Sequence, residues 1–144
     1  MVTLHQNETL NHWHSINAMQ TNLNQELERA LQENYRLSLN EFYVLYFLSQ
    51  APQKKLRLQQ LQEMVGLSQS AMSRLANRLE AKSCGVLKRQ ACEKDRRGIY
   101  TCLTEKGEKK FHECVLTFHE ILQKSFAKDM FKEEVIALIN HLSD

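Results

Sequence analysis

The sequence predicts a mainly α-helical domain carrying one small β-hairpin, in the order α-α-(β)-α-α-β-β-α-α. Three observations lead there. Glycine and proline number only 4 and 1 in 144 residues, while the helix formers Leu, Gln, Glu and Lys abound. Apolar residues recur at helical spacing along most of the chain. Between Val86 and Leu103, two alternating segments instead flank a knot of charge. The length fits one domain, residues 1–144, with a core of its own.

The first helix is expected over 8–33, where Leu10, Trp13, Ile16, Met19 or Gln20, Leu23, Leu27 and Leu31 share one stripe. So long a helix with a single apolar stripe is suited to packing against another chain. Ser38-Leu39-Asn40-Glu41 has the spacing of a capping box, so Ser38 starts the second helix. Phe42 to Leu48 are apolar nearly all round, the mark of a central, buried helix. Ala51-Pro52 ends it. Leu56-Arg57-Leu58 reads as one small strand, and Gln59 to Val65 as a short helix closed by Gly66. Ser68 caps a helix over 69–82 that turns Ala71 or Met72, Leu75, Ala76 and Leu79 inward, and Gly85 closes the region. Val86 to Gln90 and Gly98 to Leu103 form the hairpin. Thr104 caps a helix over 105–127, with Phe111, Cys114 or Val115, Phe118, Ile121 or Leu122, and Phe126 on its stripe, and a last helix follows over 130–142.

Charge is unevenly placed. Residues 54–97 hold 11 Lys and Arg against 4 Asp and Glu, while the remainder holds 8 against 13. A basic middle between acidic flanks is how a surface that meets a polyanion looks. No apolar run is long enough to span a bilayer, and Met1 to Leu10 lack the layout of a signal peptide, so a soluble cytoplasmic protein is expected. Four cysteines, at 84, 92, 102 and 114, include no CxxC pair and argue against a zinc ribbon or a disulfide framework.

The segment "LQQLQEMVGLSQSAMSRLANRLEAK" is two short helices joined by a tight turn, the helix-turn-helix layout in which the second helix enters the major groove of DNA. Its second helix offers Ser68, Gln69, Ser70, Ser73, Arg74, Asn77 and Arg78 off the apolar face. Gln and Asn pair with adenine edges, Arg with guanine or phosphate, and Ser with either. The hairpin that follows carries Lys94, Asp95, Arg96 and Arg97 at its tip, which makes the motif winged. A slender arginine tip fits a narrow minor groove, and Asp95 can hold Arg97 in a fixed pose. The competing reading is an ordinary solvated turn.

"LSLNEFYVLYFL", "LSQSAMSRLANRLEAK" and "KDRRGIYTCLTEKG", in this order, resemble the MarR-type winged helix-turn-helix transcription regulators over nearly the whole chain. The resemblance implies a lobe at 38–103 that binds palindromic DNA. It also implies homodimers whose helices 8–33 and 105–142 interlock, with Arg97 or Arg96 in the minor groove and Asp95 supporting Arg97. One departure is "AKSCGVLKR", which carries about two extra residues before Gly85, where the family commonly has Lys-Gly soon after the recognition helix.

Other chemistries are weaker. There is no GxGxxG, Walker-type GxxxxGK, HExxH or nucleophile elbow, so catalysis and a resident cofactor are not expected. His12 and His14 flank Trp13, and His112 and His119 share one side of a helix, but His112 and Cys114 lie on different faces, so no metal site is assigned. Cys84 and Cys92 sit near Lys82, Lys88 and Arg89, a basic setting for a redox-sensing thiol. Thiol-based members of the resembled family, however, carry that cysteine near the N-terminus, and residues 1–83 contain none. Cys102 and Cys114 read as small apolar fillers. Trp13, His14, Tyr43, Tyr46, Phe47 and Phe118 are candidates for a pocket that takes a small aromatic effector, with ordinary core packing as the alternative for each. The function expected is a dimeric DNA-binding repressor released by a small phenolic or oxidant signal. The alternatives are a winged-helix protein-interaction module and a cysteine-based variant of the same regulator.

Overall fold

The structure is a computed structural model and describes residues 1–91, 98–128 and 130–143. Among the described residues, six helices and one three-stranded sheet appear, in the order the periodicity predicts. Helix α1 runs Leu4–Tyr35 and α2 runs Leu39–Gln50. A single 3-10 turn, Pro52–Lys54, leads to strand β1, Lys55–Arg57. Helices α3, Leu58–Val65, and α4, Gln69–Glu80, come next. Strands β2, Leu87–Ala91, and β3, Ile99–Leu103, precede helices α5, Glu105–Phe126, and α6, Met130–Leu142. No helix among the described residues is long and apolar enough to cross a membrane.

The caps set the boundaries. Helix α1 begins earlier than its apolar stripe because Thr3 and Gln6 form a capping box, Thr3 Oγ1 accepting from the Gln6 N–H at 3.1 Å. Ser38 and Glu41 form the expected box at the start of α2, with both bonds in place. Helix α4 stops at Glu80, two residues short of the span expected. The extra residues of "AKSCG" fold into one tight turn in which the Cys84 and Gly85 N–H groups both donate to the Ala81 carbonyl. Gly85 takes φ +64° there, a left-handed backbone that favours glycine. Strand β1 sits one residue earlier than read. Leu56 pairs with Thr101, and Leu58 already opens α3 because Gln60 Oε1 accepts from the Arg57 N–H.

The sheet is antiparallel in the order β1-β3-β2, with β2 and β3 in register from Leu87 opposite Leu103 to Ala91 opposite Ile99. The core gathers Leu31, Leu37, Leu45, Leu48, Leu61, Met72, Leu79 and Val86, all under 2 % exposed. Helix α2 is its centre, as its all-round apolar sequence predicts. Thr104 ties the winged lobe to α5. Its Oγ1 donates to the Gly85 carbonyl at 2.7 Å and accepts from the Gly107 N–H at 3.0 Å. Gly107 has no room for a side chain, since a Cβ there would lie 2.3 Å from the Val86 carbonyl oxygen. Helix α6 folds back antiparallel along α1, bringing His141 to Glu8 and Glu134 to His12.

Candidate nucleic-acid interface

Helices α3 and α4 are joined by Gly66, whose φ of +81° and N–H bond to the Gln62 carbonyl turn the chain within three residues. Ser68 then caps α4 by accepting from the Ala71 N–H at 3.2 Å. Met72, Ala76 and Leu79 recur at i, i+4 and i+7 and are fully buried, which fixes the rotation of α4. That rotation leaves Ser68, Gln69, Ser70, Arg74 and Asn77 exposed and Ser73 half-buried. Gln69 and Ser73 border a polar groove with Gln59, Gln62 and Glu63 of α3. Arg74 makes no ion pair among the described residues, so its guanidinium is available to a ligand.

Two arginines hold α4 in place. Arg78, grouped with the base-facing residues from sequence, turns back into the lobe. Its Nε donates to Glu41 Oε2 at 2.6 Å, and its terminal nitrogen donates to Glu41 Oε1 and to the Arg36 carbonyl. Glu41 is only 3 % exposed, and its hydrogen bond holds the Arg78 guanidinium still more firmly protonated. The geometry makes Arg78 a strut between α2 and α4 rather than a free hand. Sequence placed it on the outer face because its periodicity excludes the core, and no local signal marks a partner 37 residues away. Arg89 of β2, which the sequence offers only as a basic neighbour of Cys84 and Cys92, is the second brace. It donates from Nε to Glu80 and from its terminal nitrogen to Asn77 Oδ1, both at 2.9 Å. Arg89 thereby takes one lone pair of the Asn77 carbonyl oxygen.

The hairpin stem stands beside α4 with Lys88, Arg89 and Gln90 exposed. On the stem's other edge, Lys55 and Arg57 lie 4.9 and 5.7 Å from the centre of the Tyr100 ring. Lys94, Asp95, Arg96 and Arg97, with Cys92, lie outside the described residues.

The aromatic candidates divide. Tyr43, Tyr46, Phe47 and Phe118 are joined through ring contacts with one another or with Phe42 and Phe111. The stacked Phe42–Phe118 pair belongs to the core. Burial pushes the Tyr43 hydroxyl pKa up. Trp13 and His14 are exposed on α1, and no ring contact among the described residues joins them to that group. A cavity of about 260 Å³ opens elsewhere, where Met19, Leu23 and Glu26 of α1 face Phe126, Met130 and Phe131 at the α5–α6 corner.

Cys84 is half-buried against the core. Cys102 and Cys114 are buried, and desolvation pushes both thiols up, Cys114 to about 11. His14, His112 and His119 are exposed. No group of three or more His, Cys, Asp or Glu among the described residues is placed to hold a metal ion.

Residues 37–98, the winged lobe, match the family model described as MarR family. No curated protein matches the sequence. Solved structures do match in fold. AbsC, a MarR family transcriptional regulator from Streptomyces coelicolor, superposes with a TM-score of 0.79 at 24 % identity, over 99 % of this chain and 92 % of that one. Sco3205, another MarR family regulator from the same organism, solved in complex with DNA, gives 0.78 at 22 %, over 99 % and 86 %. Wild-type apo MarR from E. coli gives 0.71 at 19 %, over 99 % and 96 %. The chain thus has the MarR winged-helix fold, and the sequence of its winged lobe carries the family's pattern.

Proposed function

We propose that this MarR-like protein is a sequence-specific DNA-binding transcriptional regulator. The observation that carries the reading is α4: an exposed row of Gln69, Ser70, Arg74 and Asn77 on a helix braced by Glu41–Arg78 behind and Arg89 beside it. A base-reading helix needs exactly the outward hydrogen-bonding groups that row offers, on a support that does not yield when the groove is entered. Arg74 would take guanine or phosphate, Gln69 and Asn77 adenine edges. Lys94, Arg96 and Arg97 would clasp the minor groove, with Asp95 holding Arg97.

The protein acts as a homodimer. Leu10 and Trp13 on α1, Leu116 and Phe126 on α5, and Ile136 and Ile139 on α6 are all exposed, apolar side chains that a second copy would cover. A two-fold dimer sets two α4 helices about one DNA turn apart and asks for a palindromic operator. Its regulation is repression, relieved by a small aromatic effector that binds a spacing of the two lobes incompatible with that operator.

The test is fluorescence anisotropy with the DNA upstream of the protein's own gene, across a salt series. Binding should be tighter than to scrambled DNA and should fall steeply with salt, because Lys and Arg release counterions from phosphates. Arg97→Ala should weaken it strongly. Salt-independent or absent binding would instead point to a protein-interaction module.

A further inference from the structure

A basic groove of about 420 Å³ runs between the C-terminal end of α1 and the first turns of α5. Tyr35, Arg36, Lys106, Lys109, Lys110 and Glu113 line it, four cations against one carboxylate, a net +3. None of the four cations makes an ion pair among the described residues, although Lys54 takes Glu108 of the same helix and Arg78 takes Glu41. The walls are fixed. Tyr35 Oη donates to the Glu113 carbonyl at 2.9 Å and shares a 2.6 Å hydrogen bond with Thr117 Oγ1, which pins α1 to α5. Lys106 lies along the Ala81–Gly85 turn, its Nζ 3.8 Å from where a Cβ on Gly85 would stand. The Arg36 carbonyl accepts from Arg78 at 3.3 Å.

Three local placements here are unfavourable in the empty groove. Lys106, Lys109 and Lys110 lie at i, i+3 and i+4, so like charges share one helix face. Lys106 stands in the first turn of α5, where the helix dipole opposes a cation. Arg36 caps α1 with φ 56° and ψ 35°, the left-handed place that Gly66 takes at the end of α3. Residues that break local rules together, around one concavity, mark a site that something else occupies. An anion in the groove turns the first two penalties into attraction.

We propose that this groove binds a compact polyanion carrying linked phosphate groups, of the pyrophosphate class. Lysine ammoniums act on phosphate as point charges, and a guanidinium takes two of its oxygens at once. A net +3 exceeds what a single phosphate neutralises, so two linked groups match it better. The groove lies off the exposed row of α4, since its neighbour Arg78 turns back from that row to Glu41. The site rests on the fold of one chain and not on the DNA-binding reading.

The experiment is isothermal titration of the full chain with inorganic pyrophosphate, without DNA, near neutral pH and at about 0.15 M ionic strength. Wild-type protein should show saturable binding with a Kd below about 1 mM. Lys109→Gln with Lys110→Gln should weaken it at least about tenfold, the size expected of two partly exposed charge contacts. Lys124→Gln with Lys132→Gln removes the same charge outside the groove and should leave it unchanged. Arg36→Asn should be as stable as wild type without ligand, because asparagine accepts the left-handed backbone, yet bind more weakly. No saturable binding, an equal loss in the two lysine pairs, or citrate binding as tightly as pyrophosphate would overturn the proposal. So would a groove variant that keeps its pyrophosphate affinity and instead lowers the salt slope on DNA, since the lysines would then be contacts to the DNA backbone.

Discussion

Glu41 of α2 and Arg78 of α4 form a two-pronged ion pair across the winged lobe, with the carboxylate buried and more than half of the arginine side chain in solvent. The same Glu41 caps its own helix through the Ser38 N–H at 2.7 Å. One residue thus starts the central helix and positions the candidate recognition helix. Arg78→Ala strands a buried carboxylate and should cost about 1–3 kcal/mol, the lower part of the range for buried pairs because water reaches the arginine side. Arg78→Lys should recover only part of this, since an ammonium cannot make the paired contacts. Urea unfolding measures both, and a Glu41→Gln, Arg78→Ala double variant isolates the coupling. Additive losses would show the pair to be incidental.

Thr104 and Gly107 make the joint between the lobe and α5. Thr104→Ala removes a cap and should cost about 1 kcal/mol. Gly107→Ala drives a methyl group into the Val86 carbonyl, a backbone atom that cannot step aside cheaply. It should cost about 3 kcal/mol or more through strain. If Gly107→Ala proves the milder of the two in urea unfolding, the close approach of α5 to Val86 is wrong.

The thiols should react in a fixed order. Burial raises Cys114 to about 11, so at pH 8 only about one thousandth of it is thiolate, and the fraction grows about tenfold per pH unit. Cys102 is raised in the same direction and is covered by Gln90, whose Oε1 accepts from its Sγ–H at 3.4 Å. In a Cys92→Ser background, a thiol reagent at pH 8 should titrate Cys84 first, and Cys102 and Cys114 only after unfolding. Fast reaction of all three in the native state would mean that the core packed against α5 does not shield Cys114.

Which of these features the sequence discloses follows from how local each one is. The Ser38–Glu41 box, the Gly66 turn and the Thr104 cap are read within four residues, and helix order follows from periodicity. The early start of α1 escaped an apolar count because Thr3–Gln6 is a polar signal. The turn at Ala81–Gly85 needed the Ala81 carbonyl to be seen accepting twice. Arg78 on Glu41 and Arg89 on Asn77 are contacts between elements. No spacing rule encodes them, so periodicity alone sets Arg78 among the outward residues and gives Arg89 no place beside Asn77.

Arg89 offers the sharpest test of the base-reading role proposed for α4. Its two bonds, to Glu80 and Asn77, are solvent-exposed, so Arg89→Met should change global stability by less than about 1 kcal/mol. It should still matter for recognition, because Asn77 then loses the bond that orients its amide. A side chain free to rotate gives up part of the preference for its base pair while contacts to phosphate persist. The expected outcome is a fall of about tenfold in the ratio of operator to scrambled-DNA affinity, the low end of what one oriented base contact contributes. The salt slope should drop by less than one phosphate contact's worth. An equal loss on both DNAs, with the salt slope reduced by about 1, would make Arg89 itself a phosphate ligand and remove the bracing role. Asn77→Ala separates the two cases, because on top of Arg89→Met it should add little if Arg89 acts through Asn77.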